Sequence, residues 1–257
     1  MCRAHTHLEL FMEEVVYDLD WGSFSLIEFL VSSSGEIGNK FKNCIDIGSG
    51  AGVQTDVLRH AGLEVFQVDK YSDIAEYKVD FIEHQFDQKF DIVFCSHVIE
   101  HQRNVGQFLD KIYDLMSDSG VLIISAPKHS AETMIEGHLN CFITPFLVQH
   151  LVHAGFDLKN GKYLSCAGIE NSAIVSKAEN FCISERTEAG HTWTEKHQAR
   201  SFLLLQNQIV KNEVPFFHNC LVVNSDRENE INLAIPHDYK KSGIILRSNR
   251  WNLEVSI

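Results

Sequence analysis

Basic residues are in short supply. Lys and Arg number 22 against 35 Asp and Glu, a formal charge of −13, and the longest basic run is the pair Lys240–Lys241. Nucleic-acid affinity rests on cations that neutralise phosphates, so no nucleic-acid partner is expected. Long apolar runs are also missing. No stretch approaches the ~18 residues of a spanning helix, and the first twenty residues hold no apolar run behind a basic start. Neither a membrane association nor a signal peptide is expected. The seven cysteines are Cys2, Cys44, Cys95, Cys141, Cys166, Cys182 and Cys220. They are odd in number and form no C-x-x-C pair, which argues against a cysteine-based zinc site and suits free thiols in a reducing cytoplasm. With four prolines and 15 glycines in 257 residues, a long disordered linker is excluded, and no internal repeat stands out.

What remains is an ordinary globular composition, 44% apolar and 22% charged. The length suits one large domain, or one of about 150 residues with additions. Apolar spacing predicts one or two helices over 8–31 and a loop at SSSGEIGNK. A buried strand is expected over 41–47, a helix over 53–61 and a strand over 63–69. A further strand is placed at 77–83 and a strong buried one at 90–96. The clearest helix follows from 105, with Val105, Phe108, Leu109, Ile112, Leu115 and Met116 on one face, Asn104 capping its start and Gly120 its end. A strand at 121–126 stopped by Pro127, a helix opened by Thr144-Pro145, and strands at 156–164 and 172–177 complete the pattern. Alternating strands and helices predict a doubly wound α/β fold with a parallel sheet and right-handed crossovers. In such sheets the ligand sits outside the carboxyl ends of the strands. That rule selects the loops after Ile47, Val68, Phe81, Cys95 and Ser125.

The first of those loops is Asp46-Ile47-Gly48-Ser49-Gly50-Ala51-Gly52. Its glycines let backbone approach a ligand closely, and the free N–H groups at the following helix start can bind an anion. Asp69 ends the second strand, placed to accept hydrogen bonds from two ribose hydroxyls. A dinucleotide fingerprint needs G-x-G-x-x-G. From Gly48 its third glycine would fall on Val53, and from Gly50 on Thr55. The chain has G-x-G-x-G instead, with an acid two residues before the first glycine.

That pattern resembles motif I of the class I S-adenosylmethionine-dependent methyltransferases. Asp80-Phe81 resembles the motif that holds the adenine amino group, and Phe90-Asp91-Ile92-Val93 resembles the family's fourth strand. Ser96-His97-Val98-Ile99-Glu100-His101 looks like the segment that follows it, and 115–124 like the L-x-x-x-G-x-L-x-I passage. The resemblance covers roughly 41–178. It implies a Rossmann-like methyltransferase fold with a mostly parallel seven-stranded sheet and S-adenosylmethionine as cofactor. Its implied binding set is Asp46, Gly48, Ser49, Gly50, Gly52, Asp69, Lys70, Asp80, Phe81 and Ser96. The SHVIEHQRNVGQFL passage is also similar to bacterial methyltransferases associated with surface-glycan modification.

Histidines gather at the same edge. His97-x-x-Glu100-His101 matches an H-x-x-E-H zinc motif in form, but it follows a sheet strand instead of lying within a helix. Some methyltransferases of this fold hold a divalent ion with an E-x-x-E-H set and a distant His. Here His97 replaces the first Glu, so no metal is expected. His129 and His138 follow the next strand and can close over the same mouth. His97, His101 and His138 are the candidate catalytic residues, because transfer to a hydroxyl needs a proton removed and an imidazole with a pKa of ~6.5 suits that role. His150 and His153 read as surface or packing residues.

The expected activity is methylation of a polar small molecule, an O-methylation of a sugar or another hydroxylated metabolite. Two alternatives stand: a cofactor-binding partner subunit without chemistry, and a nicotinamide-dependent oxidoreductase, which lacks a Tyr-x-x-x-Lys set. The expected organisation is an N-terminal helical cap over 1–40, the methyltransferase domain over 41–179 and an extension over 180–257. In the extension the apolar 202–210 and 216–222 and an alternating 231–235 demand burial, against the domain or in a homodimer.

Overall fold

The computed structural model describes residues 15–19, 21–33, 35–129, 133–166, 170–179, 181, 221–223, 244–248 and 253–256. In chain order the elements are β1 (Val15–Asp18), α1 (Ser23–Ser32), β2 (Asn43–Ile47), α2 (Val53–His60), β3 (Glu64–Val68) and β4 (Phe90–Ser96). A single 3-10 turn (Ile99–His101), α3 (Val105–Leu115), β5 (Met116–Pro127), α4 (Thr144–His153), β6 (Phe156–Cys166) and β7 (Glu170–Lys177) follow. Then come β8 (Leu221–Val223), β9 (Ile244–Ser248) and β10 (Leu253–Ser256).

Strands with two buried faces make the sheet. Along β5 the side chains alternate: Leu122, Ile124 and Ala126 enter one core, which Phe108, Leu109 and Ile112 of α3 and Leu147, Val148 and Leu151 of α4 complete. Ile123 enters the other, with Leu26, Ile27 and Leu30 of α1 and Val57 and Leu58 of α2. The period of two in the strands thus puts a pair of helices on each face. The seven-stranded sheet runs β3-β2-β4-β5-β7-β6-β8. Pairings among β3, β2, β4 and β5 are parallel, whereas β7 runs antiparallel to both β5 and β6, and β8 lies parallel to β6. The sheet is therefore mostly parallel in its cofactor half and mixed in the other.

Three expectations need correction. The helix expected over 8–31 is present at Ser23–Ser32, but Val15–Asp18 is a strand. It pairs in parallel with β9, which brings in β10 as an antiparallel third strand. Two adjacent valines and a tyrosine favour the pleat once a partner is present. The strand expected at 77–83 reduces to one bridge, Val68 with Tyr77. Asp80 breaks it, because its Oδ1 accepts the Ile82 N–H at 2.9 Å and its carbonyl accepts the His84 N–H, which bends the chain into a turn. The place so lost in the strand count is taken by β8 at the opposite edge. Gly120 does not cap α3. Met116 leaves the helix directly into β5, and Gly120 lies within that strand, where a Cβ would stand 3.0 Å from the Ser117 carbonyl oxygen and 3.2 Å from those of Phe90 and Asp91. The glycine serves a close backbone approach at the irregularity between Phe90 and Ile92.

Residues 202–210, 216–220 and 231–235 lie outside the described residues. Leu246 of β9 is fully buried in the α1/α2 core. No helix among the described residues is long and apolar enough to cross a membrane.

Candidate active site

Sheet strands β2 and β3 deliver the glycine loop. Gly48 N–H donates to the Val68 carbonyl at 2.7 Å and Gly52 N–H to that of Ser49 at 2.8 Å, so the loop turns tightly over the strand ends. Gly48 has φ +76°, and a Cβ there would lie 2.2 Å from Val98 Cγ2. Gly50 faces open space. Asp69 binds the two loops together. Its Oδ2 accepts the Gly50 N–H at 2.9 Å, and its Oδ1 accepts those of Tyr71 and Ser72 at 2.7 and 2.9 Å. These bonds fix the carboxylate and leave one acceptor site, on Oδ2, for a ribose hydroxyl.

The other members of the expected set occupy distinct places. Asp46 is buried beneath the loop and accepts the Thr55 hydroxyl at 2.6 Å. Burial lifts its pKa to about 7 against the pull of that hydrogen bond. It supports the loop from below. Ser49 Oγ is buried with no protein partner, as a ligand-facing hydroxyl would be. Lys70 Nζ pairs with Asp80 Oδ2 at 3.0 Å, and that bond holds the Asp80 carboxyl below its ordinary range. Phe81 is buried with its ring edge-on to Phe108. Ser96 Oγ accepts the Ser125 hydroxyl at 3.0 Å and lies under Gly22, where a Cβ would come within 2.3 Å of it.

A groove for a sulfonium cofactor needs a backbone-lined cradle, an anchor for the ribose and polar atoms left for the ligand. Gly50 over open space, Asp69 with spare acceptor capacity and the orphaned Ser49 hydroxyl meet these needs.

Across the mouth the histidines converge. His97 adopts a left-handed backbone, φ +55°, which a non-glycine residue holds only when its surroundings impose it. Its N–H donates to the Ser125 carbonyl. Its Nε2 is hydrogen-bonded to Glu170 Oε2 at 3.1 Å, its Nδ1 lies 3.8 Å from Glu100 Oε1, and Trp21 stacks on the ring at 4.8 Å. His101 Nδ1 bonds the Gly137 carbonyl at 2.8 Å, and its ring meets that of His138 edge-on. Burial and then the neighbouring His101, His129 and His97 push the His138 pKa below its ordinary value. The loop carrying His138 is pinned to the 3-10 turn, since Leu139 and Asn140 N–H both donate to the Glu100 carbonyl. His150 and His153 sit on α4, the former against Phe142.

Sequence reading missed Glu170, Trp21 and Gly22. Glu170 is 0% exposed and accepts both His97 and the Gly22 N–H. Because β7 is antiparallel to β5, its first residue, not its last, reaches the mouth, opposite Pro127. The polar Glu170-Asn171-Ser172 at the head of the apolar Ala173-Ile174-Val175 was the available signal.

A family model described as a methyltransferase domain matches residues 24–160. This chain belongs to the methyltransferase domain family. The similarity to a solved 1,6-didemethyltoxoflavin-N1-methyltransferase of Burkholderia thailandensis, which holds S-adenosylhomocysteine, has a TM-score of 0.51 at 18% identity, covering 62% of this chain and 79% of that one. It shows the shared fold. Among curated relatives, the ubiquinone biosynthesis O-methyltransferase of Azorhizobium caulinodans is 27% identical over 105 residues, 35% of this chain and 42% of the relative. That of Rickettsia typhi is 26% identical over 108 residues, 36% and 44%. The methyltransferase domain thus spans less than half the length of the curated relatives it matches. Its cofactor is S-adenosylmethionine, and these relatives do not extend the resemblance to surface-glycan enzymes.

Proposed function

We propose that the protein transfers the methyl group of S-adenosylmethionine to a hydroxyl of a polar small molecule. The cofactor supplies a methyl already activated on a sulfonium. The chain has to hold that cofactor, place the acceptor in line and take up a proton. Gly48, Ser49, Gly50 and Gly52 cradle the amino-acid end, with Asp46 holding the loop from beneath. Asp69 anchors the ribose, and Lys70, Asp80 and Phe81 border the adenine. Ser96 forms the floor between cofactor and acceptor.

The observation that carries the reading is the convergence of His97, His101 and His138 with buried Glu100 on the far side of the glycine loop. This wall offers an acceptor hydroxyl both hydrogen-bonding partners and a destination for its proton. Positioning can lower the barrier by about 7–11 kcal/mol, and proton removal adds ~10²–10⁴ in rate. The ubiquinone-pathway relatives, named as O-methyltransferases, support oxygen as the acceptor atom. Net charge disfavours a nucleic-acid substrate.

The test combines calorimetry with S-adenosylhomocysteine and transfer of labelled methyl to a panel of sugars, catechols and amines. Tight cofactor binding with label on a hydroxylated acceptor is expected. Binding without label on any hydroxyl, with amines labelled instead, overturns the oxygen assignment. NAD binding in place of S-adenosylhomocysteine overturns the whole reading.

A further inference from the structure

The mouth holds lone pairs that face one another without a hydrogen between them. A carbonyl oxygen can only accept, so the Gly137 carbonyl at 2.8 Å fixes the His101 hydrogen on Nδ1, and in the neutral imidazole Nε2 then carries a lone pair. That Nε2 looks at Glu100 Oε1, another acceptor, across 3.6 Å. A second chain of bonds assigns His138. The Cys141 thiol donates to the His129 carbonyl at 3.3 Å, and its sulfur accepts from His129 Nδ1 at 3.6 Å. His138 Nδ1 lies 3.5 Å from His129 Nε2, and with the hydrogen of that pair on His138 Nδ1 the Nε2 of His138 is bare as well. Glu100 is 1% exposed, and its Oε2 is buried with no hydrogen-bond partner among the described residues. Acceptors brought together this way repel unless a proton or a metal ion lies among them; burial pushes the Glu100 pKa up, as a crowded acceptor cluster does.

We propose that Glu100, His101 and His138 bind a divalent transition ion of the zinc class. One ligand atom from each residue lies within 4.8 Å of those of the other two. Ligands about 2.0–2.2 Å from a tetrahedral zinc stand about 3.3–3.6 Å apart, so the Glu100–His101 pair is already spaced for it and binding draws the His138 loop inward. The surrounding bonds match what metal-bound histidines require, because each ring donates its other N–H, one to a carbonyl and one to a second imidazole. Two imidazoles and one carboxylate favour zinc, cobalt or nickel over magnesium, which prefers oxygen. Three protein ligands leave a fourth position open toward the mouth, where an acceptor hydroxyl can bind. The sequence reading expected no metal here; with His101 and His138 as ligands, His97 is the histidine left to take up the acceptor's proton. The ion site rests on the proposed methyl transfer only for what the ion does there, not for its binding.

Cobalt(II) serves as a visible probe on the full-length protein after dialysis against a chelator. One equivalent is expected to give d–d absorption bands, to be displaced by one equivalent of zinc and to survive millimolar magnesium. His138→Ala, on a surface loop, and Glu100→Gln, nearly isosteric, should each weaken cobalt binding at least tenfold, while His150→Ala leaves it unchanged. Absence of the bands, wild-type cobalt affinity in His138→Ala, or displacement by magnesium overturns the site. Calorimetry with S-adenosylhomocysteine on the same samples keeps the two readings apart. Retained cofactor binding with no cobalt bands counts against the ion alone, and cobalt bands with no cofactor binding count against the methyl-transfer reading alone.

Discussion

The two sides of the cleft are built differently. On the cofactor side, Gly48, Gly50, Asp69 and Ser72 lie within one strand-helix-strand unit, and each hydrogen bond spans at most some twenty residues. On the acceptor side, His97 depends on Glu170, 73 residues away, and Glu170 in turn holds Gly22, 148 residues away. A local unit can be written as a short motif. An assembly of distant pieces leaves no such motif, and each piece can be replaced without disturbing the glycine loop. Cofactor choice is therefore fixed by contiguous sequence, and acceptor choice by how remote segments meet.

The largest effect is expected where both sides lose support. Truncation after residue 179 removes β8 from the edge of β6, removes β9 and β10 from β1, and takes Leu246 out of the core. We expect aggregation or loss of solubility, measured by light scattering, because apolar surface and strand edges are uncovered. A soluble 1–179 fragment with full activity would show that the extension has a separate task. Scattering on the intact chain also reports whether its remaining apolar surface forms a homodimer.

Asp69→Ala should strike the cofactor side alone. Three backbone N–H groups lose their acceptor and the ribose loses its anchor, so affinity for S-adenosylhomocysteine should drop by about tenfold or more in calorimetry. Unchanged affinity would remove Asp69 from the site. Glu170→Gln is the mirror experiment. It keeps the size of the side chain but withdraws the charge from His97, and turnover should fall by about tenfold, the worth of one charge-assisted bond. Cofactor affinity should stay within twofold. An equal loss of both would mean that the two sides are one unit, against the comparison drawn above.

The smallest effect concerns Asp46. Its folded pKa of about 7 stands above the ordinary 3.8 of an aspartate, so the folded state holds the proton more tightly than the unfolded one. The stability this contributes is complete below about pH 4 and is lost as pH rises through about 7. Asp46→Asn should flatten that decline in thermal-unfolding midpoints, and identical pH profiles for variant and wild type would refute it.

These contrasts also explain what sequence could tell. Val105, Phe108, Leu109 and Ile112 repeat at helical spacing, and the run Phe90–Ser96 is apolar on both faces, so α3 and β4 were legible from local pattern alone. The glycine loop was legible because its conformation is written in its own residues. Val15–Asp18 was not, since its pleat depends on β9 near the other end of the chain. The 77–83 segment misled because Tyr77, Val79, Phe81 and Ile82 are apolar enough for a strand, while Asp80 turns them into one cluster. Glu170 was hidden by strand direction. A rule that looks to carboxyl ends is correct for parallel strands and reversed for β7.

The reversal of β7 also sets an order of assembly. The strand enters between β5 and β6, so it cannot seat until α4 and β6 have formed and a place beside β5 is still vacant. The pairing of β6 with β7 is nearly local, whereas that of β7 with β5 closes a loop over the whole of α4. Everything that holds Asp69 and the glycine loop is made earlier in synthesis. Glu170, which joins His97 to Gly22, is the last of these residues in chain order, so the contacts around His97 can be completed only after those of the glycine loop.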